Sequence, residues 1–258
     1  MVKRVLLLLL AAALQLTGSA ALAAPDTYSG APISGRVVDA ATGKPLEGAV
    51  VVADWTLWHR GLLVSGDRTR RLWVAEAITD AQGRYQVPGW GPIERPFGWD
   101  MHPLGVDDPN IAVFAPGYEP EFFINSNGAE GMPPFNPPEA RLRRSFWDGR
   151  DLRLYRYGTI DRNAGRNLGS DPSVKSTPET RALARLESFA SHLERNVHEA
   201  DGRDEPNDSP RRREFMERQR TAFLLADDAL RQFTGKPRIW SWGINDFVTQ
   251  LRRGRDQK

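Results

Sequence analysis

Apolar and polar positions change their period once along this chain. From Ile33 to about Tyr157, short runs rich in Val, Ile, Phe, Tyr and Trp alternate with Gly, Pro, Asp and Asn, the texture of β structure. The candidate strands are SGRVVDA, GAVVVADWTLW, RLWVAEAITD, RYQVPGW, NIAVFAPGY, EFFINS and DLRLYRYG. Seven such segments predict a sandwich of two antiparallel sheets over residues 31–160. The stretch GWGPIERPFGWDMHPLGVDDPN, rich in Pro, Gly and Trp, reads as a loop at its edge. In DWTLW, Trp55 and Leu57 share one strand face while Thr56 and Trp58 share the other, so a ring is expected on each face. A linker follows over 161–175, and the spacing then becomes helical through 176–254. Leu183, Leu186, Phe189, Leu193 and Val197 mark one helix. Ser176 can cap it in a box with Glu179; Thr177 is the alternative cap, with Pro178 at the first helical position. A second helix is expected through RREFMERQRTAFLLADDALRQF, stopped by Gly235, and a third at INDFVTQLRR. The expected fold class is α+β: an N-terminal seven-stranded antiparallel β-sandwich followed by an α-helical C-terminal region.

The middle of VVDAATGKPLEGAVVVADW contains a Gly-Lys pair, which in a loop can cradle phosphate or simply turn the chain. A Walker-type loop needs an earlier Gly where Val38 stands, and a hydroxyl where Pro45 stands. Pro45 also lacks the backbone donor such a loop aims at phosphate. The turn reading works residue by residue. Asp39 bonds backbone amides, Gly43 takes positive φ, Pro45 stiffens the exit and Leu46 turns toward the core. ITDAQGRYQV repeats the pattern with Asp80 and Gly83, and VFAPGYEP places Tyr118 to cover one end of the sandwich.

GRVVDAATGKPLEGAVVV, ITDAQGRYQV and VFAPGYEP together resemble the signatures of the carboxypeptidase regulatory-like domain family. The resemblance runs from about Ile33 to Pro120, with the terminal strand near Tyr155. It implies a transthyretin-like, seven-stranded sandwich of the kind found in exported bacterial proteins. Because turn and core residues carry it, it implies fold rather than chemistry. The catalytic patterns of the proteins this family accompanies or resembles are missing. None of His59, His102, His192 or His198 is followed by Glu three residues on, and there is no His-Glu-x-x-His or His-x-His. Tyr155 to Thr159 only partly echoes the Tyr-Arg-Gly-Ser ending of the 5-hydroxyisourate hydrolases.

The N-terminus adds a compartment. Lys3 and Arg4, an apolar run from Val5 to Leu14 and Ala21-Leu22-Ala23 read as a signal peptide over residues 1–23. The apolar run is shorter than the roughly 20 residues of a spanning helix, so no stable membrane span is expected after cleavage. Export to the periplasm or beyond is the expected localisation. Lys3 and Arg4 account for the whole formal charge of +2, from 35 Lys+Arg against 33 Asp+Glu. A neutral exported chain argues against a nucleic-acid partner. With no cysteine, the fold relies on its core and not on disulfides.

Candidate chemistry is sparse. No catalytic, cofactor-binding or metal-binding residue stands out. His192 and His198 fall on different helix faces, and Asp107, Asp108 and Asn110 read as a turn rather than a calcium loop. The segment RLRRSFWDGRDLRLYRYGTIDRNAGR holds eight Arg against three Asp and suits an anionic polymer or an acidic face. The three arginines of PRRREF read as a solvated helix end. The candidate binding surface is therefore Trp58, Trp90, Trp99, Arg143 and Arg144. A non-catalytic binding or scaffold module with an envelope protein partner is the leading expectation. A carbohydrate-binding module on exposed Trp rings and a small-molecule hydrolase near the His59 and His102 loops are the alternatives.

Overall fold

The computed structural model describes residues 26–59, 68–96, 104, 108–126, 135–137, 140–158, 177–200, 209–241 and 243–257. The expected signal peptide and the 161–175 linker lie outside these residues. The strands are β1 (Thr27–Gly30), β2 (Ile33–Asp39), β3 (Val50–His59), β4 (Arg68–Ile78) and β5 (Arg84–Val87). They continue as β6 (Trp90–Glu94), β7 (Asn110–Phe114), β8 (Glu121–Phe123), β9 (Leu142–Arg143) and β10 (Arg150–Leu154). The helices are α1 (Pro178–His198), α2 (Pro210–Glu217), α3 (Arg220–Thr234) and α4 (Ile244–Asp256). The chain is α+β.

The described strands form three sheets, ordered β6-β1-β9, β10-β2-β5 and β4-β3-β7-β8. All seven expected strands are present, but β1, β6 and β9 bring the total to ten and make a small sheet of their own. Two pairings, β2 with β10 and β1 with β9, are parallel, so the expected uniform antiparallel order is corrected. β1 also lies before the expected boundary at residue 31, and β6 occupies part of the expected edge loop. TYSG, WGPIE and LR, the sequences of β1, β6 and β9, hold too few apolar positions for a strand period to stand out. β1 and β6 exist because Tyr28 pairs with Ile93 and Gly30 with Trp90.

The TGKP segment is a turn. Asp39 Oδ1 accepts from the amides of Ala41 at 3.0 Å and Thr42 at 2.9 Å, and Gly43 has φ 70°. Asp39 Oδ2 accepts from the Tyr118 hydroxyl and from Arg156 Nε, both at 2.9 Å. The Thr42 amide opposes burial, and with Tyr118 and Arg156 it holds the Asp39 carboxyl far below the usual range.

The four-stranded sheet is buried on both faces. Val51, Ala53, Trp55 and Leu57 face an interior shared with Val37, Tyr85, Val87 and Leu152 of the opposite sheet. Val50, Val52, Val74, Ala112 and Phe114 face the helices, against Leu186, Phe189, Leu193, Phe223 and Leu230. Each buried side chain of this size contributes about 1.5–3 kcal/mol. The helices are thus a layer on the sheet.

Thr177 caps α1, its Oγ1 accepting from the Thr180 amide at 3.3 Å, with Pro178 in the first turn. The expected second helix is two, α2 and α3, broken at Gln219. No Gly or Pro marks that break. It arises because Gln219 is buried, donating to the Leu193 carbonyl and accepting from Asn196 Nδ2 at 3.1 Å. At the start of α2, Arg211 is not solvated as expected; its Nε donates to the Ala200 carbonyl at 2.7 Å. α3 lacks a cap from its own chain start. Glu76 on β4 supplies one, accepting from the amides of Thr221 and Ala222 at 3.0 Å each. Glu76→Ala leaves these donors exposed, and the expected loss of stability is about 1–2 kcal/mol. Urea unfolding checks this: the midpoint should fall with an unchanged slope.

Candidate functional site

Along β3 the helix-facing side changes character. Val50 and Val52 are apolar, Asp54 and Thr56 are polar and buried, and Trp58 is 53% exposed. The change follows the helical cover, because α1 ends at His198. The pairing of β3 with β4 also slips here, from Trp55 opposite Trp73 to Thr56 opposite Arg71. The slip leaves Leu72 as an extra residue on β4, a bulge that lets Leu72 and Trp73 both turn inward. Arg71 is thereby delivered to the helix side.

Arg71 is almost wholly buried and is held from three directions. Its Nη1 donates to Asp54 Oδ1 and Thr56 Oγ1, and its Nη2 donates to Glu199 Oε2 at 3.2 Å. Its backbone amide donates to the Glu199 carbonyl at 2.7 Å, so the end of α1 covers the open edge of β4. His192 on α1 brings Nε2 to 2.8 Å from Asp54 Oδ2, a close polar contact whose direction leaves both atoms outside hydrogen-bonding geometry. Burial opposes ionisation of Asp54, but the charges of Arg71 and His192 outweigh it and hold its carboxyl below the usual range. Asp108 lies beneath, with Oδ2 accepting from the Thr56 amide at 2.8 Å and Oδ1 from Asn110 Nδ2 at 3.2 Å. Burial pushes the Asp108 carboxyl well above the usual range; the Thr56 amide opposes this and the Asp54 charge reinforces it.

Over this cluster opens a cleft of about 460 Å³. Thr56, Arg71 and His192 line its floor, and Trp58, Phe122, Ile124 and Arg195 its rim. Trp58, Phe122 and Ile124 are exposed, and His192 meets the Phe122 ring edge-on at 5.5 Å. Among the described residues no group of three or more acidic or histidine side chains is placed to hold a metal ion.

The four expected surface residues that are described, Trp58, Trp90, Arg143 and Arg144, do not come together. Trp58 stands on the cleft rim. Trp90 is buried, stacked on Trp73 at 5.7 Å and edge-on to Trp55 at 5.3 Å, because its indole lies directly over Gly30, where any side chain would collide. Arg143 is fully buried, donating to the carbonyls of Leu104 at 3.2 Å and Pro137 at 3.3 Å beneath the Tyr28 ring. Neither can serve as a surface contact. Arg144 is exposed in a different concavity. Trp99 and His102 lie outside the described residues, as does the side chain of His59. His198 meets Ser241 Oγ at 2.8 Å, away from the cleft lining. Sequence reasoning missed Asp54, Arg71 and Glu199. Asp54 was the available signal: a carboxylate within VVVADWTLW on a face that is apolar on either side of the pair it makes with Thr56.

Compared with known proteins, the chain matches no family model and no curated protein. Among solved structures it is weakly similar to the major plantain pollen allergen Pla l 1, at 11% identity and a TM-score of 0.24, over 50% of this chain and 94% of that one. A 9R-lipoxygenase from Cyanothece aligns at 14% identity and a TM-score of 0.23, over 79% of this chain and 30% of that one. Likenesses this slight inform neither fold nor function.

The raised Asp108 carboxyl makes stability fall as pH rises. Above the ordinary carboxylate value of about 3.9 the unfolded chain releases this proton while the folded chain retains it. Between about pH 4.5 and about pH 7 the wild type should therefore lose more stability than Asp108→Asn. Urea unfolding at both pH values reads the difference, and equal slopes would contradict the assignment.

Proposed function

We propose that this chain is an exported, non-catalytic binding module of the bacterial cell envelope, with the sheet–helix cleft as its binding site. The fold proposed for it is a transthyretin-like sandwich of the carboxypeptidase regulatory-like kind carrying a helical layer. In support, the β10-β2-β5 and β4-β3-β7-β8 sheets together contain seven strands, Asp39 and Gly43 form a turn, and Tyr118 donates to Asp39. The observation that carries the binding reading is the contrast between floor and rim. The polar groups of the floor are committed to one another, Arg71 to Asp54 and Glu199, and His192 to Asp54. The rim offers apolar surface at Trp58, Phe122 and Ile124 beside the exposed Arg195. A rigid, compensated floor under an available aromatic rim suits recognition of an envelope protein that presents an apolar anchor beside an acidic residue. A glycan platform has less support, since Trp58 is the one exposed indole among the described residues.

A hydrolytic reading is favoured by one feature, the His192–Asp54 pair, since a carboxylate behind an imidazole is the arrangement of a general base. The Thr56 hydroxyl on the floor is already engaged by Arg71, and water is the nucleophile this reading uses.

The test is a pull-down of the Ala24–Lys258 protein against cell-envelope fractions, followed by titration of the retained partner. Trp58→Ala and Arg195→Glu should each weaken binding about tenfold or more, while His192→Gln should act chiefly on stability. If nothing is retained, and ester or amide turnover is detected that His192→Gln abolishes, the hydrolytic reading replaces this one.

A further inference from the structure

A second concavity, of about 400 Å³, is built largely from the arginine-rich segment that the cleft leaves unused. Its walls come from Phe135, the 144–150 turn between β9 and β10, and the Ala31–Pro32 link between β1 and β2. Such a volume lies within the range of small-ligand sites. We propose that it binds an anion carried on a flat apolar body, an aromatic carboxylate, through Arg144 and Arg150 against Phe135 and Phe146. This inference is independent of the function proposed for the cleft.

Charge, preorganisation and shape support it. Among the described residues no carboxylate pairs with Arg144 or Arg150. Arg150 is held by a ring, its guanidinium carbon lying 3.9 Å from the centre of Phe146, which fixes the group without cancelling its charge. Among the described lining residues the one acidic side chain, Asp148, already accepts from the Ser34 amide at 2.8 Å and the Ser34 hydroxyl at 3.0 Å. Among those residues, two cations therefore face the space with one engaged anion.

The backbone beneath Arg144 is pinned by two buried asparagines. Asn136 accepts from the Arg144 amide at 3.0 Å and donates to its carbonyl at 2.8 Å. Asn125 donates to the same carbonyl at 3.0 Å and accepts from the Phe146 amide. Two buried amide side chains thus fix the short segment that carries both Arg144 and Phe146, which lowers the ordering cost of binding. Phe135, exposed and edge-on to Phe146 at 5.9 Å, supplies a second aromatic wall. A planar guanidinium matches a carboxylate, and the ring walls match a flat apolar body. A bare inorganic anion would leave those walls unused.

The test is calorimetric titration of the Ala24–Lys258 protein with 2-naphthoate, inorganic phosphate and galacturonate. Naphthoate should bind saturably and weaken with added salt, and Arg144→Gln and Arg150→Gln should each reduce its affinity about tenfold. Arg253→Gln, which removes an exposed charge on α4, should leave it unchanged, and thermal unfolding of each variant verifies its fold. The proposal is overturned if naphthoate gives no saturable binding, or if neither pocket arginine affects it. It is overturned equally if phosphate binds as tightly as naphthoate or galacturonate binds more tightly, since the aromatic walls then have no role.

Discussion

The guanidinium of Arg71 is the point on which the relation of sheet to helices depends. It sits almost without solvent between Asp54, Thr56 and Glu199, and so joins β3, β4 and the end of α1 in one group. Burying such ions is costly, and the cost is offset only when each is paired and hydrogen-bonded. That condition makes the cluster a positional constraint. Loss of Asp54 leaves the Arg71 guanidinium without its fully buried counter-ion in a low-dielectric setting, at about 3–5 kcal/mol. The helical layer is held in register by this penalty as well as by its apolar contacts.

The same constraint accounts for where the cleft lies. Apolar contact between sheet and helices runs from Val50 and Val52 toward the end of α1, and the ion cluster closes it. Beyond the cluster β3 continues to the exposed Trp58, and β8 and the residue after it present the exposed Phe122 and Ile124. An exposed aromatic rim over a charged floor therefore follows from a four-stranded sheet that outruns its helices. Elsewhere the layer is tied by further charges used in the same way. Asp227 on α3 accepts from Trp240 Nε1 at 3.0 Å, Arg231 Nε at 2.8 Å and Arg252 Nε at 2.6 Å, fixing α4 and the preceding loop to α3. Glu76 does the corresponding work between β4 and the start of α3.

Much of the architecture was legible from local pattern. The seven strands of the β10-β2-β5 and β4-β3-β7-β8 sheets, the turns at Asp39 and Asp80 and the existence of the helical region follow from local turn chemistry and periodicity, and the Gly117 turn marked Tyr118 although the Asp39 it meets is 79 residues away. The alternation in DWTLW correctly assigned Trp55 and Trp58 to opposite faces, and one is buried while the other is exposed. β1, β6 and β9 were not legible, because TYSG, WGPIE and LR hold too few apolar positions to mark a strand. Nor was the break at Gln219, which depends on polar groups of α1.

The surface residues mark the boundary between the two kinds of information. Composition by itself determined that this chain is rich in Trp and Arg, carries no cysteine and has two periodic regions. Only the tertiary structure decided which of those side chains reach solvent. Trp90 is inside because Gly30 admits its ring, and Arg143 is inside because carbonyls of Leu104 and Pro137 accept from it. Arg144, the next residue, is outside because two buried asparagines hold its backbone while its side chain points to solvent. Neighbours identical in chemistry thus take opposite roles, since burial of a polar group depends on distant partners that no local pattern encodes.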